Sequence, residues 1–148
     1  MATTITHYNS FITRQLNGNA IDFDDAGTSV KVALCTSTYT PNQDTHDFFN
    51  DVTNELAASG NYTAGGNAVG SKTVTQDDTN NGATFDGADV AWTALTPSAA
   101  FRYGILYKDT GTASTSALIA YLDFGADQNP AGNNFTIQWH ADGIFYIR

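Results

Sequence analysis

Apolar side chains recur every three to four residues near the amino terminus. The stripe consists of Ile5, Tyr8, Phe11, Ile12 and Leu16. This spacing predicts a short amphipathic helix, with Thr3 or Thr4 as its N-cap and Gly18 as its end. An apolar face of this size usually packs on the protein's own core, and the alternative is that it reaches a partner.

Strand-like patterns begin at residue 30. The run VKVALC, residues 30–35, predicts a buried or half-buried strand. Residues 36–56 then predict an ordered excursion instead of a further strand, in which Asp44 or Thr45 can cap a short helical turn. That turn would carry Phe48, Phe49, Val52 and Leu56.

The remainder of the chain is a series of strands and turns. The six candidate strands are KTVTQ (72–76), ATFDGADVAWTAL (83–95), FRYGILYKD (101–109), SALIAYLDFG (116–125), NFTIQWH (134–140) and GIFYIR (143–148). Turn signals separate them at intervals typical of an antiparallel sandwich or barrel. The tripeptide at 141–143, Ala-Asp-Gly, predicts a tight hairpin that pairs the last two strands. No linker or repeat divides the sequence, so we expect a single β-rich domain over residues 1–148.

Alternation along two of these strands identifies candidate core positions. They are Phe101, Tyr103, Ile105 and Tyr107 in one strand, and Leu118, Ala120 and Leu122 in the next. Aromatic residues within apolar strands mostly fill interiors, so we also expect Trp92 and Trp139 in the core. Cys35 lies in an apolar run and is expected to pack there. As the single cysteine, it excludes an intramolecular disulfide.

The net charge of the chain limits the classes of molecule that we expect it to bind. Six Lys and Arg residues stand against fifteen Asp and Glu residues, which gives a formal net charge of −9. A phosphate backbone would be repelled by this charge, so we predict no direct nucleic-acid binding. No apolar run reaches the roughly 18 residues of a membrane helix. The first residues, MATTITHYNSF, lack the basic and apolar regions of a secretory signal, so we expect a soluble protein that assembles in a cytoplasm.

One glycine-rich stretch, GGNAVGSKT at residues 65–73, nearly matches a phosphate-binding loop. That motif places Lys directly after its second glycine, followed by a helix whose N-terminus faces the anion. Counted from Gly65, this chain has Ser71 before Lys72, and the residues that follow alternate as in a strand. We therefore interpret the stretch as a glycine-rich strand or loop.

Candidate catalytic and metal-binding groups lack the spacing that their chemistry requires. The calcium-like series that starts at Asp77 has Ala88 where a bidentate Glu is needed. The three histidines, His7, His46 and His140, have no partner at i+4, which disfavours a zinc site. No serine lies in a G-x-S-x-G elbow. We predict a protein that is not an enzyme and has no catalytic, metal-binding or cofactor-binding residues.

Several segments together resemble a group of small structural proteins of tailed-bacteriophage virions. The segments are Val30–Leu34, Asp51–Leu56 with Gly60–Gly66, Val90–Ala94, Phe101–Thr110, Leu118–Gly125 and Asn134–Trp139. They span most of the chain, and they are structural rather than catalytic motifs. The resemblance implies a β-rich protein of the decoration or cement type, which clamps neighbouring subunits of the major capsid protein.

These observations lead to one main prediction. We expect a mainly β protein, an antiparallel β-sandwich or jelly roll with a short N-terminal helix. It would act as a dimer or trimer on the outer surface of the virion capsid, with the major capsid protein as its partner. Because loops carry binding while strands carry packing, contacts are expected in the helix and in loops 36–50 and 76–82. The candidate contact residues are Ile5, Tyr8, Phe11, Ile12, Tyr39, Phe48 and Phe49.

Two other functions stay open at this point. A tail or fibre protein could bind a receptor or glycan through loop tips rich in aromatic, Asp and Asn residues. A polysaccharide hydrolase would need a pair of carboxyl groups, and because Glu55 is the only Glu, such a pair would consist largely of Asp residues.

Overall fold

A computed structural model describes residues 3–148, which form ten strands and one α-helix. In chain order they are β1 (Thr4–His7), α1 (Asn9–Leu16), β2 (Ser29–Cys35), β3 (Asn67–Ala68), β4 (Thr73–Asp77), β5 (Gly82–Asp86), β6 (Val90–Leu95), β7 (Phe101–Asp109), β8 (Leu118–Gln128), β9 (Asn133–Ile137) and β10 (Phe145–Ile147). All strand pairs are antiparallel. The predicted class, mainly β with one short helix, is confirmed and is consistent with a β-sandwich, whereas the jelly roll stays a prediction.

The largest sheet has five strands in the order β1-β8-β7-β2-β3. Its central strand β7 is buried at residues 104–107 without alternation, because other parts of the chain cover both faces of the sheet. On one face Val32 and Leu106 join the main core, and on the other Ile105 packs with residues of the excursion after β2. The excursion is ordered, as predicted, and contains a single 3₁₀ turn at Phe49–Asp51.

Two smaller sheets complete the fold, one of three strands in the order β10-β5-β4 and one made of β6 and β9. The predicted strand at 83–95 is therefore two strands, which Gly87 separates and which belong to different sheets. The predicted hairpin between the last two strands is wrong. Strand β9 pairs with β6 and β10 pairs with β5, so residues 138–144 cross from one sheet to the other.

The amino-terminal segment differs from the predicted helix. Residues 4–7 form strand β1, in which Ile5 pairs with Leu122 of β8. The helix begins only at Asn9, with Tyr8 as an N-cap that makes no side-chain hydrogen bond, so the predicted Thr caps are wrong. β-Branched side chains favour an extended backbone, and pairing with the long strand β8 decides the conformation. The carboxyl end of the helix is as predicted, since the helix stops at Leu16, two residues before Gly18.

The predicted core positions are largely confirmed. Six of the seven strand positions are buried, and Tyr103 is half-buried. Trp92 is 1% exposed, whereas Trp139 is half-buried and packs against the rim of the main core. Cys35 is fully buried, and this burial raises the pKa of its thiol. Within residues 3–148, no helix is long and apolar enough to cross a membrane.

Candidate interaction surface

Three of the seven predicted contact residues belong to the core. Tyr8, Phe11 and Tyr39 are each at most 1% exposed. Their side chains offer no surface to a partner while the protein is folded, so the prediction is corrected for these three. An amphipathic pattern identifies apolar positions, but it cannot say which of them the rest of the chain will cover.

The other four candidates lie at or near the surface. Ile5, Phe48 and Phe49 are half-buried. The Phe49 ring stacks on Tyr107 with 4.2 Å between ring centroids, and the Arg14 guanidinium lies 4.4 Å from the centroid of the Phe48 ring. Ile12 is 52% exposed and is thus the most accessible of the seven.

Aromatic residues of the excursion anchor it to the junction of β1 and α1. The Tyr8 and Tyr39 hydroxyl oxygens are 2.9 Å apart, and the Tyr39 hydroxyl lies 2.9 Å from His46 Nδ1. The His46 ring also stacks on both tyrosines. Desolvation by burial raises the pKa of Tyr39 to about 12. This network explains why Tyr39 is a packing residue and not a contact residue.

Hydrogen bonds around Glu55 hold the end of the excursion in place next to β2. Its Oε1 accepts a hydrogen bond from the Tyr62 hydroxyl at 2.7 Å and another from the Gly65 backbone N–H. The Tyr62 hydroxyl in turn accepts the Leu34 N–H at 3.0 Å. The Tyr107 hydroxyl donates to the Gly65 carbonyl at 2.8 Å. No sequence motif predicts this role of Glu55, and its occurrence as the only Glu is the one signal that the sequence offers.

The phosphate-loop-like stretch has a structural explanation. The Lys72 ammonium donates to the Asp25 carbonyl at 3.0 Å and also to the Thr28 carbonyl, so its positive charge is engaged by the loop before β2. Residues 65–73 contain the two-residue strand β3 and lead into β4 rather than into a helix. The interpretation as a glycine-rich strand or loop is confirmed.

The calcium-like series forms the turn between β4 and β5. Asp77 Oδ1 accepts hydrogen bonds from the backbone N–H groups of Thr79 and Asn80, each at 3.0 Å. The Asn80 side-chain amide donates to Asp77 Oδ2 at 2.7 Å. These bonds lower the pKa of Asp77, the largest contribution being the Asn80 side chain. The turn therefore uses the carboxylate to hold its own backbone.

Helix α1 presents a second apolar face to solvent. Phe11 anchors the helix in the core, where its ring meets those of Phe23 and Phe145 edge-on. On a different face of the helix, Ile12 is 52% exposed and Leu16 is 84% exposed. Residues at i and i+4 lie side by side on a helix, so these two side chains form one patch. The helix is thus rigidly mounted and has an uncovered apolar stripe.

A cleft lies on the apolar side of the three-stranded sheet and includes one residue of α1, Gln15. This α1 cleft has a volume of about 230 Å³. Rings of Phe23, Phe85 and Phe145 form its interior, with centroid separations of 4.5–5.4 Å. The rim carries Val74 and Ile147, which are 43% and 44% exposed.

Two polar features are also located at the α1 cleft. Asp22 and Asp24 line it, and the hydrogen bond between their carboxyl groups raises the pKa of Asp22. Gln15 Nε2 is buried and has no hydrogen-bond partner within residues 3–148. A ligand that carries a positive charge and a carbonyl oxygen would therefore complement this mouth.

His7, which packs beside α1, makes the stability of the protein depend on pH. Its ring stacks on Phe11 with centroids 5.3 Å apart and meets Phe145 edge-on at 5.0 Å, and its Nε2 is buried without a partner in the described chain. Burial lowers the pKa of His7 from its ordinary value of 6.5. The unfolded chain therefore binds a proton at a higher pH than the folded chain does.

We expect acid to destabilise the protein through His7. Well above pH 6.5 the side chain is neutral in both states, and as the pH falls through 6.5 the unfolded state gains protons first, so stability declines. His7→Phe keeps an aromatic ring and should flatten this decline, measured as urea midpoints between pH 7.5 and pH 5. His140→Phe is the matched control at an exposed histidine. An equal flattening in the control would contradict the assignment to His7.

Comparison with known proteins gives no relatives for this chain. No protein-family model matches it, no curated protein matches it, and no solved structure matches it.

Proposed function

We propose that this protein is a capsid cement or decoration protein of a tailed phage, which binds the outer surface of the major capsid lattice and stabilises the mature head. The observation that carries the proposal is the exposed apolar stripe of α1, Ile12 and Leu16. Support also comes from the virion-like motifs of the sequence. In the structure these motifs form strands and the hydrogen bonds between Glu55, Tyr62 and Gly65. The proposed location is the capsid surface, after assembly in the host cytoplasm.

The exposed apolar area suits a contact surface. Full burial of a Leu or Ile side chain contributes about 1.5–3 kcal/mol, so a stripe of two exposed residues supplies a useful part of a docking free energy. Phe11 fixes the stripe from behind, so little conformational entropy is lost when a partner covers it. A preformed and rigid patch is what a clamp between capsid subunits requires.

Cement action needs binding to one lattice state and no chemical step. A protein that binds only the expanded lattice stabilises that state by mass action, by about 2.7 kcal/mol per site when its free concentration is roughly a hundredfold above the dissociation constant. Repetition over the lattice multiplies this effect. The net charge of −9 would keep decorated particles mutually repelling. A dimeric or trimeric cement would occupy a symmetry axis of the lattice.

We expect the double variant Ile12→Ser, Leu16→Ser to bind capsids at least about tenfold more weakly, a loss of roughly 1.4 kcal/mol. Its unfolding free energy should change by no more than about 0.5 kcal/mol, since both side chains are exposed. The measurement is rebinding to particles stripped of the protein, together with the heat resistance of the decorated particles. Ala57→Ser with Ala58→Ser, two exposed positions on another segment, is the control. Unchanged rebinding by the first variant would refute the role of the stripe.

A tail or fibre protein is the second candidate, and one groove favours it. The groove lies between β1 and β9, has a volume of about 510 Å³ and includes Phe135, Trp139 and His140. Aromatic faces of this kind suit sugars. Copy number in purified virions separates the two proposals. A number comparable with that of the major capsid protein supports cement, and a number typical of a tail component supports the alternative.

A further inference from the structure

Strand β4 is an open edge of the three-stranded sheet. It pairs with β5 in an unbroken register from Thr73–Asp86 to Asp77–Gly82, and its residues 73–76 are exposed. Natural edge strands are usually blunted by Lys, Pro or a bulge, because an open edge can accept a further strand. The sequence of β4, TVTQD, has no Lys, Pro or bulge, and its one charged residue, Asp77, is the last of the strand. The preceding Lys72 does not protect the edge, because its ammonium is engaged by backbone carbonyls.

The two faces of the sheet at this edge differ in chemistry. Val74 pairs with Phe85, which pairs in turn with Phe145, and these side chains lie on the side of the α1 cleft. Residues of the opposite parity line a shallow polar groove on the other face, where Asp77 and Asp86 occur. The polar face also includes Thr73, Thr75, Thr84, Asp78, Asp142 and Arg148.

We propose that β4 accepts an extended segment of a partner protein in which apolar and basic side chains alternate. Successive side chains of a strand point to opposite faces. The apolar ones would enter the α1 cleft beside Val74, and the Lys or Arg ones would lie over Asp77 and Asp86. Backbone hydrogen bonds to β4 supply affinity, as in other cases of strand addition. This inference rests on the proposed function and names the kind of capsid segment that is held.

Charge favours such a partner over a second copy of this chain. If β4 paired with another β4 in antiparallel fashion about Thr75, Asp77 of one copy would face Thr73 of the other, which is itself paired with Asp86. Each copy would thus bring further carboxylates to an acidic face, and like charges across strands are destabilising. The net charge of −9 per chain adds to this repulsion. A basic segment reverses the sign of both effects.

A second group, the Gln15 side-chain amide, lies in the cleft that the apolar side chains of the segment would enter. Gln15 Nε2 is buried, lacks a partner within residues 3–148 and belongs to the lining of the α1 cleft. Apolar side chains that enter the cleft would come close to this lining, so the Gln15 side-chain amide reports on their entry. Asp22 and Asp24 line the cleft together with Val74 and add to the negative charge of the surface that the segment would meet.

The first test uses three synthetic peptides with acetylated and amidated ends. These are Lys-Val-Lys-Val-Lys, the acidic Glu-Val-Glu-Val-Glu, and Lys-Lys-Val-Val-Lys, which has the composition of the first but does not alternate. Each is titrated into the ¹⁵N-labelled protein at low salt and followed by NMR. We expect the first to bind with a dissociation constant in the roughly millimolar range, at least about fivefold more tightly than the other two. Shifts should concentrate on β4, β5 and the Gln15 side-chain amide.

The second test separates strand addition from a charge contact. In an added edge strand, alternate backbone N–H groups face β4 and the others face solvent. The alternating basic peptide is therefore prepared once with N-methyl valines and once with N-methyl lysines. We expect one of the two to lose binding and the other to retain it. Equal binding of both would overturn the proposal, as would shifts that map away from β4 and β5.

Protein variants complete the comparison. Asp86→Asn should weaken the alternating basic peptide about threefold or more, since it removes a charge from the polar face. Asp127→Asn removes an exposed charge from β8 and is the matched control. An equal effect of the two variants contradicts placement over Asp86. A negative peptide result overturns strand addition alone, because capsid binding through Ile12 and Leu16 is tested separately on stripped particles.

Discussion

Gly66→Ala is expected to destabilise the protein by about 4 kcal/mol or more, and thereby to remove most or all of the folded population. Gly66 has a φ of +70°, a conformation that costs a residue with a Cβ roughly 1–2 kcal/mol. The added Cβ would also overlap the Val32 carbonyl oxygen. Val32 lies in β2, which is paired with β7 on one side and β3 on the other, so it cannot move aside. Urea unfolding followed by circular dichroism measures the loss.

Gly111→Ala isolates the conformational part of this loss. Gly111 has a φ of +80°, and a Cβ added there has no atom within 4 Å. Its replacement should cost only the conformational strain, about 1–2 kcal/mol. If both variants lose the same amount, the close approach between Gly66 and β2 does not contribute, and the proposed cause is wrong.

The long strands could be predicted from sequence because their burial is local in origin. Strands β2, β7 and β8 are runs of apolar and β-branched residues bounded by turns, and a central strand needs little more than that. The turn signals DDTNNG at 77–82 and DTGTAST at 109–115 also follow from residue type. For these elements, the positions expected in the core are nearly all buried in the structure.

Pairing between distant segments could not be predicted in this way. The Ala-Asp-Gly tripeptide at 141–143 resembles a hairpin turn, yet the strands on either side of it belong to different sheets. Ile5 fits the periodicity of a helix, but strand β8 leaves an edge on which residues 4–7 pair. In both cases a contact with a remote strand overrides the local signal, as expected when propensities are weak.

The sequence predicts the candidate surface only in part. Periodicity indicates an apolar stripe at the amino terminus, but the division into buried Phe11 and exposed Leu16 depends on where Phe23 and Phe145 lie. The α1 cleft combines residues from both ends of the chain and from its middle, so no contiguous motif encodes it. Only the assembled sheet shows that Val74 and Ile147 share a rim.

Tyr62→Phe is expected to lower the unfolding free energy by roughly 3 kcal/mol through the loss of a single oxygen atom. The Tyr62 hydroxyl donates to Glu55 Oε1, and a hydrogen bond to a charged group contributes about 1.5–3 kcal/mol. The same hydroxyl accepts the N–H of Leu34, which is fully buried and would be left unpaired at a further cost of about 1–3 kcal/mol. Urea unfolding at neutral pH measures the change.

Tyr146→Phe removes the same atom from a hydroxyl that donates to the Asn80 carbonyl at 2.8 Å near the surface. Water can replace that bond, so the control should lose no more than about 1 kcal/mol. A double-mutant cycle with Glu55→Gln then measures the coupling between the two side chains, which we expect at about 1–2 kcal/mol. Equal losses in Tyr62→Phe and Tyr146→Phe would contradict the anchoring role. A large coupling would assign the Asp51–Leu56 and Gly60–Gly66 motifs to folding, because their polar groups are then used to fix the excursion on β2 and are not available to a partner.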